Sequence, residues 1–222
     1  MDTKTRFAVR SLKTLIAYYS RQGLISHLGR ERKRSGNVAF RVLIGTILSH
    51  RTKDERTELA SKALLAKYAT PQALSKASLG EVRRLIKPVG FYNSKARYVV
   101  ECSRELVERF SGRIPDNVSD LVTLTGVGRK TAGCVVAYAF GKPAIPVDSH
   151  VHQVSNRLGL VETKTPLQTE LALELLLPKP LWKDVNEAFV VHGQNVCVPI
   201  SPHCSKCPLR GKCPRTGVAH SR

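Results

Sequence analysis

The stretch Leu124-Thr125-Gly126-Val127-Gly128-Arg129-Lys130-Thr131-Ala132 decides the reading of this 222-residue chain. Two glycines one residue apart let the backbone turn tightly and bring its amides close to a ligand, with no Cβ in the way. Residues 129–140 are nearly all apolar, which predicts a central helix stopped by Gly141. A helix beginning at Arg129 aims its N–H groups and the positive end of its dipole at the same spot, so turn and helix form a cradle for a phosphate. No strand pattern precedes the turn and no Gly-Lys-Ser/Thr closes a longer loop, so neither a dinucleotide fingerprint nor a P-loop fits. A plain tight turn between helices is the competing reading.

Lys130 falls in the first turn of that helix. A lysine is usually a solvated surface group, but a helix N-terminus and apolar neighbours both disfavour an ammonium and so favour a neutral, nucleophilic amine. The dipole contributes only ~0.3–1 kcal/mol, so desolvation or a partner must supply the rest. Asp148 is the natural partner. The central helix carries the chain about 18 Å away at 1.5 Å per residue, and residues 141–147 span roughly 23 Å when extended, enough to return. Asp is a favoured N-cap, and a capping carboxylate can also face an amine.

Outward from the hairpin, the chain reads as helix almost throughout. Helical patterns cover residues 7–28, 39–48, 53–68, 94–110, 148–158, 165–177 and 182–195. Ser78 starts another helix with Glu81 at the capping-box position, and Asn117 or Ser119 starts a short one. Thr165 is the expected cap before Pro166. Alternating strand patterns are scarce and no fixed-period repeat occurs, so the expected class is all-α.

Charge narrows the function. The chain holds 36 Lys+Arg against 17 Asp+Glu, a net +19, which implies a polyanionic partner because phosphate contacts release counterions. Residues 1–34 carry nine basic and two acidic side chains, and residues 197–222 five basic and none acidic. The run Arg30-Glu31-Arg32-Lys33-Arg34 also reads as an ordinary solvated face. With 42% hydrophobic residues the chain is globular. No apolar run approaches the ~18 residues of a membrane span, and the first ten residues lead into no signal core. An intracellular protein of the cytoplasm or nucleoid, with no membrane partner, is expected.

Of six cysteines, Cys102 and Cys134 stand alone in amphipathic or apolar helical contexts, where buried free thiols are ordinary. Cys197, Cys204, Cys207 and Cys213 crowd together with six, two and five residues between them, which in an intracellular chain reads as a metal site rather than a disulfide framework. Four thiolates within 17 residues suit an iron–sulfur centre. Structural zinc is the other reading of the spacing, although zinc ribbons pair two Cys-x2-Cys knuckles and only one is present. Lys206, Arg210, Lys212 and Arg215 lie between and beside the ligands, as a backbone-contacting loop requires.

Taken together, LTGVGRKTA, the aspartate of VDSHV 18 residues after the lysine, HGQNVC and the cysteine spacing resemble the endonuclease III family of helix-hairpin-helix DNA glycosylases. GFYNSKAR at residues 90–97 and ILSHRTKDE at residues 47–55 match as well, so the resemblance covers essentially the whole chain. It implies a six-helix lobe with the hairpin (residues 31–141), a second lobe of the N-terminal helix and the C-terminal cluster region (residues 1–30 and 142–222), and a catalytic cleft between them. It also implies a 4Fe-4S cluster on the four cysteines. Lys130 is then the nucleophile and Asp148 the assisting carboxylate in a bifunctional glycosylase and abasic-site lyase. The implied substrate is a damaged pyrimidine, flipped from duplex DNA, and the protein is expected to act as a monomer. Gly126, Val127, Gly128 and Arg129 are the implied phosphate cradle. His50 and Arg51 occupy the segment where family members usually carry a Gln that fills the gap left by the flipped base. Thr125 stands where Pro is common. His150 matches a family histidine, and Phe91 with Tyr92 are candidates either for a wedge into DNA or for the core. The rival readings are a monofunctional mismatch glycosylase of the same superfamily and a non-catalytic DNA-binding module.

Overall fold

The computed structural model describes residues 2–32 and 37–222, and among these there is no strand. Lys33 and Arg34 of the basic run lie outside the described residues, as do the side chains of Glu31 and Arg32. Helix α1 (Thr3–Arg21) opens on Asp2, whose carboxylate accepts the Thr5 N–H at 2.7 Å. The helix expected across residues 7–28 ends early. The N–H groups of Gly23 and Leu24 fold back onto the carbonyls of Ser20 and Tyr19, and Gly23 takes φ +65°, the left-handed conformation that ends helices. The chain restarts as α2 (His27–Arg32) and α3 (Val38–Ser49), the latter capped by Asn37. Then come α4 (Asp54–Lys67), the unanticipated single turn α5 (Pro71–Ser75), α6 (Leu79–Leu85) and α7 (Tyr92–Phe110). Ser78 caps α6, but the expected reciprocal bond from Glu81 is absent, because that carboxylate turns to Lys67 and the Tyr68 hydroxyl.

Asn117 starts α8 (Val118–Leu121), and after the glycine turn comes α9 (Arg129–Cys134). The expected continuous helix to residue 140 widens into a π-helical turn over Val135–Ala139. Helices α10 (Ser149–Arg157), α11 (Pro166–Leu176) and α12 (Trp182–Asn195) follow, with the full Thr165–Gln168 capping box opening α11.

These elements form two compact units. One runs from His27 to Lys142, starting at His27 because that is where α2 begins. Its core is α3, buried from Val42 through Leu48, packed against α4, α7, α9 and the π turn. The other comprises Met1–Ser26 and Pro143–Arg222. Here α1 packs Ala8, Leu12, Leu15 and Tyr19 against Val151 and Val154 of α10, Leu173 of α11, and Val185 and Phe189 of α12. Cys197, Cys207 and Cys213 pack on the edge of this core. No helix among the described residues is long and apolar enough to cross a membrane.

Candidate active site

In the His27–Lys142 unit, α7 holds the hairpin in place. The Glu105 carboxylate accepts both the Thr125 N–H (2.6 Å) and the Thr125 hydroxyl (2.7 Å). Four residues on, Arg109 donates to the Thr123 hydroxyl at 2.8 Å. Gly126 is required twice over. Its φ is +77°, and a Cβ there would meet Tyr98 of α7 at 2.7 Å. Gly128 differs: its φ is −88° and a Cβ would enter open space, so what its bareness leaves room for lies outside the protein. Val127 between them is buried, so its backbone is what the turn presents.

Arg129 is exposed and Lys130 half-buried in the first turn of α9. The next residue, Thr131, is fully buried, and its hydroxyl lies 3.1 Å from Nε2 of His50. His50 caps the far end of α3 and still presents an edge to solvent. Its imidazole is pulled down to about 4, by burial first and then by the ammonium groups of Lys130 and Lys95. His50 is therefore neutral at physiological pH, and the Lys130 side chain is near enough for its charge to be felt there. Lys95, only 3% exposed, donates to the carbonyls of Leu48 and His50 (both 2.6 Å) and to the Thr52 hydroxyl (2.9 Å). It thereby closes the C-terminal end of α3, where a cation is favoured. Sequence reading missed Lys95, Glu105 and Thr131, because their partners lie far along the chain.

The turn that Lys95 pins carries one unusual backbone, at Arg51, and the N-cap of α7, Phe91, carries another. Arg51 has φ +50° and Phe91 has φ +55°, conformations that non-glycine residues hold only when the surroundings enforce them. The Arg51 guanidinium sits 6.0 Å from the centre of the Phe91 ring, which is 65% exposed. Phe91 thus belongs to the surface and not to the core. Both residues, with His50, Tyr98 and Gly126, line one open cavity beside the hairpin.

In the other unit, Asp148 is the N-cap of α10. Its Oδ1 accepts the N–H groups of His150 and Val151, both at 2.9 Å. The second carboxylate oxygen has no hydrogen-bond partner among the described residues. The carboxylate is fixed by one oxygen and open at the other. His150 lies against Gly193 of α12, where a Cβ would come within 2.7 Å of its ring.

The four clustered cysteines line a single cavity with His192, Arg157, Arg210 and Arg215. Among the described residues no three His, Cys, Asp or Glu side chains gather as one bound ion would need. Donors point at the sulfurs. The Leu209 N–H donates to Cys207 Sγ at 3.4 Å and an Arg157 N–H to Cys197 Sγ at 3.6 Å. Burial pushes the Cys207 thiol up to about 11, whereas Arg157 opposes the effect of burial on Cys197. His192, buried, joins Tyr19 on one side (Nδ1 to hydroxyl, 2.8 Å) and Cys207 on the other (Nε2 to Sγ, 3.7 Å). The HGQNVC stretch carries this histidine, but only the fold shows what it touches.

Comparison with known proteins identifies the family. Residues 44–179 match the HhH-GPD superfamily of base excision DNA repair proteins. An endonuclease III of Thermotoga maritima is 48% identical over 196 residues, 86% of this chain and 92% of that protein. A solved complex of a trapped endonuclease III–DNA covalent intermediate superposes with a TM-score of 0.84 at 32% identity, covering 97% of each chain. A thermostable thymine-DNA glycosylase superposes with a TM-score of 0.83 at 25% identity, over 96% of this chain and 98% of that one. The chain belongs to the endonuclease III family of base-excision repair DNA glycosylase/lyases.

Proposed function

We propose that this protein removes damaged, chiefly oxidised, pyrimidines from duplex DNA and cuts at the resulting abasic site, with Lys130 as nucleophile and Asp148 as assisting carboxylate. The observation that carries this reading is the Asp148 carboxylate. Two backbone N–H groups hold one oxygen and the other has no partner among the described residues, as a group that must meet a developing positive charge requires. The neutral Lys130 amine attacks C1′ of the flipped nucleoside; the C1′–N bond to the base breaks and the base leaves with a proton. Asp148 stabilises the positive charge on the sugar and assists transfer of a proton from the amine to O4′ as the C1′–O4′ bond breaks, the ring opens and the Schiff base forms. Loss of a C2′ proton then expels the 3′ phosphate. Gly126, Val127, Gly128 and Arg129 hold a neighbouring backbone phosphate, Gly128 leaving room for its approach. Arg51 and His50 serve the space from which the base has been flipped.

We further propose a 4Fe-4S cluster on Cys197, Cys204, Cys207 and Cys213. The residues present fit it. All four thiols share one cavity, N–H donors already face two of the sulfurs, and three arginines line the wall and offset the charge of a tetrathiolate centre. When bound, the cluster supplies a covalent staple for the basic C-terminal loop.

The test is borohydride trapping on an abasic duplex. The intact protein should form a covalent adduct that Lys130→Ala abolishes and Asp148→Asn greatly slows. An intact protein that cleaves off the base but never traps would instead be a monofunctional glycosylase, and one that only binds would be a DNA-binding module. For the cluster, about four irons per chain with visible absorbance are expected, and stoichiometric zinc without iron would refute it.

A further inference from the structure

We infer that the exposed face of α1 is a second duplex-binding surface, one that grips the DNA phosphate backbone without reading sequence or damage. At 100° per residue, Arg6, Arg10, Lys13, Ala17 and Arg21 fall within about 80° of one another. All five are exposed, and the first four line a shallow groove with Val9 and Thr14. From Arg6 to Lys13 the face runs about 10 Å along the helix axis, which is the rise of roughly three phosphates of one DNA strand. Ala17 and Thr14 between the cations are short, so a phosphate backbone can approach closely.

Two observations separate this face from an ordinary solvated helix. The first is the absence of compensation. Thr3–Arg21 contains five basic residues and no acidic one. Among the described residues, Arg6, Arg10 and Lys13 meet no carboxylate, and the one bond recorded for Arg6 is to the Thr3 hydroxyl. The second is position. Arg6 stands near the positive end of the helix dipole, where the N-cap carboxylate of Asp2 is taken up by the Thr5 N–H and hydroxyl and makes no bond to Arg6. A cation there opposes helix formation, so folding gives no reason for it, and a local rule broken in this way points to function. The opposite face of α1, Ala8, Leu12, Leu15 and Tyr19, is sealed in the core of its unit. The helix therefore has no apolar face to lay on a lipid surface, and a duplex polyanion is the partner that fits.

This inference goes beyond the reaction at Lys130 and is tested without it, on an undamaged duplex of about 25 base pairs. Binding is followed by fluorescence anisotropy between 50 and 200 mM KCl for the intact protein, for Arg6→Gln/Arg10→Gln/Lys13→Gln, and for Lys179→Gln/Lys183→Gln as a charge control elsewhere in the same unit. Each lost phosphate contact lowers the steepness of log K against log salt by about 0.9. The α1 variant should therefore lose about 2 to 3 from the slope, with low-salt affinity down about tenfold or more, while the control keeps the slope of the intact protein. Circular dichroism should show α1 intact, since glutamine is a good helix former at these exposed positions; should the triple variant misfold, Lys13→Gln alone should lose about 0.9. An unchanged slope, or an equal loss in the control, overturns the proposal. Failure of wild-type trapping on an abasic duplex would instead count against Lys130 chemistry and leave this result standing.

Discussion

Thr125 stands where hairpins of this family commonly carry proline, and the exchange has a physical use. Proline has neither an N–H nor a hydroxyl, whereas Thr125 gives both to the two oxygens of Glu105. Hydrogen bonds to a charged group contribute about 1.5–3 kcal/mol, so Thr125→Pro should lower unfolding free energy by about that much in urea titrations. Thr125→Ser should stay near the intact protein. If both variants match it, Glu105 is not what fixes the hairpin. Nothing local announces this pair, because its partners are twenty residues apart, and the same is true of Lys95, whose three acceptors lie more than forty residues away. The hairpin itself was legible because its glycines and lysine fall within five residues, Gly126 to Lys130. His50 adds a dependence on pH. Its folded pKa, about 4, lies below the ordinary 6.5, so between those values the unfolded chain binds a proton that the native protein does not. Stability is therefore full above pH 6.5 and falls as pH drops toward 4. In His50→Gln that component is gone, and its melting temperature should decline less steeply over that window; parallel curves for the two proteins would show that His50 ionises alike in both states.

Helix starts were readable at Asn117, Thr165 and Asp148, where a capping side chain sits within three residues of the amide it accepts, but not at Asp2 or Thr70, which cap α1 and α5 in the same way. Ends and interruptions were not. The break after Arg21 depends on Gly23 adopting a left-handed turn inside a pattern whose apolar spacing continues, and the π turn at Val135–Ala139 lies in a run apolar on every side. Periodicity cannot mark either. Helix-to-helix approach is equally silent in one dimension, and Gly193 is the clearest instance. Its missing Cβ lets α12 lie against His150, two residues after Asp148 and bonded through its N–H to that carboxylate. In Gly193→Ala, an atom placed 2.7 Å from the imidazole must move α10 or turn the ring. Overpacking of this kind costs about 1–3 kcal/mol. Here it should also slow trapping on an abasic duplex by tenfold or more with duplex affinity unchanged, because it moves the capped carboxylate. His150→Ala in the same background should restore much of the rate. Unimpaired trapping in Gly193→Ala would mean that α10 tolerates the shift without disturbing Asp148.

At the scale of the molecule, the unit built from the two chain ends holds together through something other than apolar area alone. Arg157, from the last turn of α10, donates to the carbonyls of Val198 (2.8 Å) and Pro199 (2.7 Å), while Gln153 one turn earlier holds the carbonyl of Cys197 (2.6 Å). Tyr19 of α1 reaches His192, and through it the edge of Cys207. The first and the last parts of the sequence thus meet at the four cysteines, so a bound cluster would join α1, α10, α12 and the C-terminal loop at one point. Site formation and folding of this unit are then one equilibrium. Arg157→Met keeps the length of the side chain but removes every side-chain donor, leaving the carbonyls of Cys197, Val198 and Pro199 and the Cys197 sulfur without it. Purified Arg157→Met should carry well under the full iron content and melt several degrees lower, and the deficit should grow on exposure to a chelator, while Arg157→Lys should recover only part of both because it lacks the forked geometry. Iron content equal to that of the intact protein, with a lower melting temperature, would place Arg157 in the packing of the loop alone; a variant that loses iron and melting temperature together is what coupling through the cysteines requires.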